Sequence, residues 1–297
     1  MSLNLAGVFP PIPTPFDADG NILHDKLKAN LARWSKTGLR GFVVLGSNGE
    51  FVMLNEAEKA AVFESARAAI PRDQLFLAGA GAESTQTALA LTRRAAECGA
   101  DAAMIVTPHY YKSQMNAPTL LNHYRVIADA APIPVIIYNM PGATGIDLDA
   151  ATVIQLAQHP NIVGIKDSSG NVTKFADIVR AVRSDFAVLA GSGGYFCPAL
   201  CVGANGCVAA LANVAPRQCV AMYDGFLAGR HDETRALQLK LLPLNAAVTT
   251  RWNVAGLKAA LEELGDYYGG PPRLPLRPLG DEDRRTLKQI MHEAGII

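Results

Sequence analysis

A lysine at the end of an apolar run is the residue whose position in this sequence most clearly suggests covalent chemistry. Ile162-Val163-Gly164-Ile165 leads directly into Lys166, and a polar Asp/Ser/Gly loop follows at 167–170. Such a run is typical of a buried parallel strand, and in an α/β barrel the carboxyl end of a strand faces the active-site mouth. A lysine held there is a candidate for imine formation with a ketone. The pattern alone also fits a surface lysine just past a strand.

An imine mechanism requires the lysine amine in its neutral form. A free lysine has a pKa of ~10.4, so only about 1 in 2,500 amines is neutral at pH 7, and we expect desolvation in a barrel interior to lower that pKa. The protonated imine then stabilises the carbanion left when a neighbouring C–C bond breaks. Tyr138 precedes Lys166 by 28 residues, one βα unit, so it is expected at the adjacent strand end. A phenol there can shuttle protons, although an ordinary strand aromatic is the alternative interpretation.

Two glycine-containing loops are candidates for binding an anion. Ser47-Asn48-Gly49 follows an apolar run, and its backbone N–H groups can turn toward the carboxylate of a keto acid. Gly191–Gly194 can form a similar cradle, but glycine-rich turns are common between strands and helices, so plain turns remain open for both. The six histidines show no HxH or HExxH spacing, and we therefore predict no metal site.

Short apolar runs alternate with amphipathic helical patterns along most of the chain. Eight of them are expected to be strands: 7–12, 41–45, 74–78, 102–106, 135–138, 163–166, 187–190 and 206–209. Alternating units of this size predict a (β/α)8 TIM barrel over residues 1–225, followed by a C-terminal helical extension over 226–297. A doubly wound open sheet is the rival fold, but no GxGxxG follows a first strand.

Composition restricts the class of protein. The chain has 27 basic and 27 acidic residues and no block of one sign, which argues against a nucleic-acid surface or a membrane anchor. No apolar run reaches membrane-spanning length, and the start shows no signal-peptide pattern. The five cysteines form no CxxC pair, which suits a reducing compartment. We expect a soluble cytoplasmic protein.

Three motifs in order resemble a known family: GSNGE at 46–50, Tyr138-Asn139-Met140-Pro141, and 164–170. Together they are similar to the dihydrodipicolinate synthase/N-acetylneuraminate lyase family over nearly the whole chain. The resemblance implies a homotetrameric barrel (a dimer of dimers) that forms an imine with pyruvate and uses no other cofactor. It implies Lys166 as the imine lysine, with Tyr138, Ser47 and Tyr110 as the proton relay. It also implies that the Tyr110 side chain contributes to the active site of the neighbouring subunit. The substrate-binding residues that it implies are Ser47, Asn48, Ser168, Gly191 and Val208.

Departures from the family pattern guide the choice of reaction. Dihydrodipicolinate synthase has Thr-Thr where this chain has Ser47-Asn48, and an arginine that grips the second substrate's carboxylate where this chain has Ala143. Sialic acid lyases place acidic residues where this chain has Gly193 and Gly194. The sequence is more similar to the 4-hydroxy-2-oxoglutarate aldolases, through GSNGEF at 46–51 and the segments 159–164, 189–192, 210–214, 245–249 and 267–271.

We therefore expect a metal-independent lyase that cleaves a 4-hydroxy-2-oxo acid to pyruvate and an aldehyde such as glyoxylate. The alternatives are 4-hydroxy-tetrahydrodipicolinate (dihydrodipicolinate) synthase, a 2-keto-3-deoxy sugar-acid aldolase or dehydratase, and a binding barrel without turnover.

Overall fold

Eight parallel strands form a barrel in this computed structural model, which describes residues 3–297. The strands pair in the order β1-β8-β7-β6-β5-β4-β3-β2, as expected for a (β/α)8 barrel, and the predicted fold is confirmed. Their bounds are β1 Gly7–Phe9, β2 Gly41–Val44, β3 Leu75–Gly79, β4 Ala102–Val106, β5 Val135–Asn139, β6 Ile162–Asp167, β7 Ala187–Ala190 and β8 Gly206–Val208. The strands are largely apolar because they are covered on both faces, and β5 and β6 end in polar residues at their carboxyl ends.

The barrel closes between β1 and β2 through a short, irregular contact. The sequence predicted a first strand reaching Ile12, but β1 ends at Phe9. Pro10 and Pro11 follow, and a proline has no N–H to contribute to a ladder. Closure instead uses an isolated bridge between Pro11 and Val43, with Ile12 N–H donating to the Val43 carbonyl at 2.9 Å.

Helices alternate with the strands and cover the outside of the barrel. Their bounds are α1 His24–Trp34, α2 Glu56–Ala69, α3 Thr85–Glu97, α4 Ala117–Ala130, α5 Pro141–Thr144, α6 Ala150–Leu156, α7 Val172–Ala181, α8 Phe196–Cys201, α9 Leu211–Val214 and α10 Pro216–Leu227. A capping box begins α2: Asn55 accepts from Glu58 N–H, and the Glu58 carboxylate accepts from Asn55 N–H. Helix α6 ends at Leu156, shortly before His159-Pro160, where proline disfavours helix.

The barrel has an inner and an outer apolar layer. The inner layer lies inside the ring of strands and includes Phe9, Val43, Leu77, Ile136 and Val208. The larger outer layer lies between the strands and the helices. Because successive strand residues point to opposite faces, each strand supplies both layers.

Three further helices follow α10: α11 His231–Ala246, α12 Asn253–Glu263 and α13 Asp281–Ala294. A π-helical turn at Ala247–Arg251 joins α11 to α12. Gln238 on α11 is bound to the loop after β7, donating to the Gly193 carbonyl at 2.8 Å and accepting from Cys197 N–H at 3.0 Å. The C-terminal helices therefore reach the mouth of the barrel. Within residues 3–297, no helix is both long and apolar enough to cross a membrane.

Candidate active site

A cavity of about 570 Å³ opens at the carboxyl ends of the strands. The residues that the sequence placed at the barrel mouth line it: Ser47, Asn48, Tyr138, Lys166, Ser168 and Gly191. These side chains come from different parts of the chain and meet because parallel strands end at the same edge of the barrel. The cavity is therefore the candidate active site.

Lys166 and Tyr138 face each other inside the barrel. They are paired residues on β6 and β5, and the Lys166 Nζ lies 4.0 Å from the centre of the Tyr138 ring. Only 3% of each side chain is exposed. The lysine nitrogen is thus directed away from bulk water and toward the phenol. An amine and a phenol in this arrangement, inside a cavity lined by small polar groups, are suited to imine chemistry.

Ser47 extends the pair into a chain of three groups. Its hydroxyl lies 3.0 Å from the Tyr138 hydroxyl, at hydrogen-bond distance. Ser47 belongs to a 3-10 turn, Ser47–Gly49, which follows β2. The first N–H groups of such a turn have no partner inside it, so those of Ser47 and Asn48 face outward from the turn. The arrangement places a hydroxyl for proton relay beside backbone donors for a carboxylate.

Ser168 and Gly191 lie where β6 and β7 end. A β-carbon added at Gly191 would come within 2.0 Å of the Ser168 hydroxyl oxygen and 2.7 Å of the Asp167 carbonyl, so only glycine fits. The Ser168 hydroxyl is buried and has no hydrogen-bond partner among residues 3–297. A buried hydroxyl without a protein partner carries a desolvation cost, which a hydrogen bond to a polar group of a ligand would offset.

Tyr195 holds these two strand ends together, a role that the sequence analysis missed. Its hydroxyl donates to the Asp167 carbonyl at 2.6 Å and accepts from Gly191 N–H at 3.1 Å. Burial raises the pKa of Tyr195, and the nearby Asp167 carboxylate adds to that rise, so the phenol stays protonated and remains a donor. A tyrosine four residues after the strand-end glycine was the available signal.

Two predicted residues lie away from the cavity of this chain. Tyr110 is 77% exposed and packs edge-to-face against Tyr111, with 5.1 Å between ring centres, and it does not line the cavity. Val208 is completely buried in the inner apolar layer and does not line the cavity either. The proposed relay through Tyr110 and the substrate contact at Val208 stay predictions.

A buried ion pair fixes the loop that carries Ser47 and Asn48. Glu50 has a left-handed backbone conformation (φ 56°), and its carboxylate lies 2.6 Å from the Lys258 Nζ of α12. The same carboxylate accepts from Arg273 N–H at 2.8 Å. Burial lowers the pKa of Lys258, while the Glu50 charge opposes that shift. Sequence reasoning did not find this pair because its members are separated by 208 residues.

The far wall of the cavity comes from the C-terminal helices. Asn245, Thr249, Thr250 and Asn253 line it opposite the strand ends. Over residues 3–297, no group of three or more histidine, cysteine, aspartate or glutamate side chains is arranged to hold a metal ion.

Comparisons with known proteins agree with this geometry. The model of the family described as the Dihydrodipicolinate synthetase family matches residues 4–294. A 4-hydroxy-tetrahydrodipicolinate synthase of Methanothrix thermoacetophila is 39% identical over 286 residues, which cover 96% of this chain and 95% of that protein.

Solved structures show the same similarity. The structure of dihydrodipicolinate synthase from Cyanidioschyzon merolae with lysine bound superposes with a TM-score of 0.94 at 33% identity, covering 98% of this chain and 99% of that one. The chloride-inhibited dihydrodipicolinate synthase from Acinetobacter baumannii, complexed with pyruvate, gives 0.93 at 33% identity, covering 99% and 100%. These comparisons confirm the family expected from the motifs. They give no support to the narrower similarity to 4-hydroxy-2-oxoglutarate aldolases.

Proposed function

The chain belongs to the dihydrodipicolinate synthetase family, and from this premise we propose that it forms an imine between Lys166 and pyruvate and joins that pyruvate to an aldehyde, or releases it from the joined product. The observation that carries the proposal is the buried contact of Lys166 with Tyr138, together with the hydrogen bond between the Tyr138 and Ser47 hydroxyls.

The side chains suggest a role for each group in the reaction. The neutral Lys166 amine attacks the C2 carbonyl of pyruvate, and water leaves as the protonated imine forms. Loss of a proton from C3 gives an enamine, whose C3 attacks the aldehyde carbon. Tyr138 delivers a proton to the new alkoxide, and Ser47 passes protons to and from the phenol. Water then hydrolyses the imine, and the cleavage reaction runs through the same steps in reverse.

Condensation to 4-hydroxy-tetrahydrodipicolinate is the first candidate for the overall reaction. Curated relatives with 34–39% identity carry that name, and they match this chain along its whole length. In this case the aldehyde is aspartate semialdehyde, and its amino group, in place of water, attacks the imine carbon and displaces the Lys166 amine, which closes the ring. The arrangement of Lys166 and Tyr138 is the same for condensation and for cleavage. We therefore rank condensation first because of the names of the relatives.

Cleavage of 4-hydroxy-2-oxoglutarate to pyruvate and glyoxylate is the second candidate, and one observation favours it. Ala143 lines the cavity where the resembling synthases have an arginine. Among the described residues that line the cavity, Lys166 is the one cation, so nothing there offers a bidentate contact to the carboxylate of aspartate semialdehyde. Glyoxylate carries a carboxylate that meets the same neutral donors, but it is shorter than aspartate semialdehyde and has no amino group that must also be bound.

Trapping with borohydride tests the imine. Incubation with pyruvate and borohydride is expected to fix a covalent mass increment on Lys166, found by peptide mass spectrometry. The Lys166→Met variant should lose the increment, whereas Lys288→Met, at an exposed position on α13, should keep it. An unmodified Lys166 in the wild-type chain would end the imine mechanism.

A substrate panel separates the candidates once trapping succeeds. The wild-type chain is assayed for consumption of aspartate semialdehyde with pyruvate, and for pyruvate release from 4-hydroxy-2-oxoglutarate and from 2-keto-3-deoxy sugar acids. The substrate with the highest kcat/KM identifies the reaction. The Ala143→Arg variant should raise kcat/KM for aspartate semialdehyde by about tenfold or more if a missing cation limits that reaction.

We also propose that the chain acts as a homotetramer in which Tyr110 completes the site of a neighbouring subunit. The support is the exposure of Tyr110 and Tyr111, two large aromatic side chains that follow β4 at the mouth of the barrel. Analytical ultracentrifugation gives the oligomeric state. A Tyr110→Phe variant that keeps its assembly but loses kcat would support the shared site, and full activity in that variant would reject it.

A further inference from the structure

A polar network lies directly behind the Tyr138–Lys166 pair. Asn139 follows Tyr138, and Asp167 follows Lys166, so both occupy the opposite, outward faces of β5 and β6. Asn139 and Asp167 are paired in the sheet register, and the Asn139 Nδ2 donates to Asp167 Oδ2 at 2.9 Å. Both side chains are completely buried.

Lys174 supplies the positive charge of this network. It lies in the first turn of α7, and its Nζ is 2.8 Å from Asp167 Oδ2 and 2.6 Å from Asp147 Oδ1. A third contact, at 3.3 Å, goes to the Leu148 carbonyl, so all three ammonium hydrogens have acceptors. Lys174 is also buried, and a buried aspartate is stable as an anion only with such a partner.

The remaining contacts of the network tie each strand end to the loop that follows it. Asn139 Nδ2 donates to Asp147 Oδ1 at 2.7 Å, and Asn139 Oδ1 accepts from Leu148 N–H at 3.0 Å. On the other side, Asp167 Oδ1 accepts from Ser169 N–H at 2.7 Å. Every polar atom of the Asn139 and Asp167 side chains therefore has a partner, which fixes the rotamers of both and the register of β5 against β6.

We propose that Lys174 is a positioning residue for the reaction: by neutralising and holding Asp167 against Asn139, it keeps the Lys166 amine and the Tyr138 phenol facing each other. This inference rests on the proposed imine function. The residue does not touch the cavity and acts through Asp167. A shift of about 1 Å between reacting groups is enough to lower a rate about 100-fold. The ion pair of Lys174 with Asp167, on the outward face of the strands, can therefore affect the reaction rate.

The test compares the rates of borohydride trapping and of turnover in matched variants. In Lys174→Met, Asp167 keeps its charge without its cation, and we expect kcat and the trapping rate at saturating pyruvate to fall about 10- to 100-fold. KM for pyruvate should change by less than about threefold, because the Ser47-Asn48 loop is not part of the network. Lys174→Arg retains the charge and should restore most of the rate.

Two controls separate positioning from a general loss of stability. Leu287→Ala removes a buried core side chain on α13, away from the cavity, and should lower the melting temperature without lowering the trapping rate. The double variant Asp167→Asn with Lys174→Met removes both charges and keeps an amide facing Asn139. It should fold better than Lys174→Met alone and trap pyruvate faster than that variant, but more slowly than wild type, because the ammonium contacts that hold the side chain at position 167 are still lost.

The outcomes are distinct. If wild-type Lys166 is not trapped, the proposed function fails. If wild-type Lys166 is trapped and Lys174→Met is trapped at the rate of Leu287→Ala, the positioning role is wrong. If Lys174→Met does not fold, the comparison passes to Lys174→Arg and the double variant, and a double variant that traps pyruvate no slower than wild type would reject the role.

Discussion

Replacing Lys258 is expected to destabilise the chain and to loosen the Ser47–Gly49 turn, which precedes Glu50. In Lys258→Met the Glu50 carboxylate loses a cation at 2.6 Å, in a place where both side chains are 1% exposed. Breaking a buried pair from one side costs ~3–5 kcal/mol because the remaining charge is uncompensated. For a chain of 297 residues, the entropy of unfolding is about 0.6 kcal/mol/K, so the melting temperature should fall by about 5–8 °C.

The functional effect should appear in binding more than in chemistry. Glu50 ends the turn that contains Ser47 and Asn48, whereas Lys166 lies on β6, and the ammonium group of Lys258 binds Glu50 and the Pro271 carbonyl. We therefore expect KM for pyruvate to rise and the trapping rate at saturating pyruvate to change less. Calorimetry measures the melting temperature of the variant. It is run at one fixed protein concentration without pyruvate, since a ligand or a change in assembly would also shift that temperature.

A double variant tests the cause. Glu50→Gln with Lys258→Met removes both charges, keeps the length of the side chain at position 50, shortens the one at position 258 by its terminal atom, and should recover at least half of the lost stability. The reasoning is refuted if Lys258→Met melts within about 2 °C of the wild-type chain. It is also refuted if the single and double variants melt together, because the unpaired Glu50 charge would then not be the cause.

Three further predictions concern single groups. Tyr138→Phe keeps the ring that lies over Lys166 and loses only the hydroxyl, so kcat should fall about 10²- to 10⁴-fold with an unchanged melting temperature, as measured by pyruvate release and calorimetry. Burial lowers the pKa of His123 to about 4 from 6.5, so the unfolded chain takes up the proton first as pH falls. Stability should then drop by up to about 3 kcal/mol between pH 6.5 and pH 4, and His123→Gln should flatten that part of the pH dependence in urea unfolding. Gly191→Ala places a β-carbon against the Ser168 hydroxyl and should cost about 1–3 kcal/mol of stability and weaken pyruvate binding, checked by urea unfolding and by the pyruvate dependence of trapping.

The barrel was predictable because its signals are local. Each strand is an apolar run followed by a polar or glycine-rich loop, and each helix has the 3.6-residue period, so the chain order gives the topology. Tyr138 and Lys166 were placed correctly for the same reason, since both end such runs and lie one βα unit apart. The first strand was predicted too long because its apolar residues include two prolines, Pro10 and Pro11, which do not form ladder bonds.

The supporting contacts were not predictable because they join distant parts of the chain. Lys174 lies only seven residues after Asp167, but Asp147 and Asn139 reach the same place from the preceding unit. Nothing in the local sequence distinguishes Lys174 from a surface lysine in the first turn of an amphipathic helix. The Glu50–Lys258 pair is harder still to predict, because it joins the loop after β2 to α12, far apart in the sequence.

The cavity has few charged side chains that could bind the carboxylate of a second substrate. Among the described residues that line it, Lys166 and Glu50 are the charged side chains, and Glu50 is committed to Lys258 and to Arg273 N–H. In the proposed mechanism Lys166 is consumed in the imine, which becomes a neutral enamine before the aldehyde reacts, so a carboxylate on the aldehyde meets neutral donors alone. Hydroxyl and amide groups hold a carboxylate more weakly than a guanidinium does. Selection between aldehydes therefore depends on size and on neutral hydrogen bonds, and Ala143 is the position where one added charge would change it.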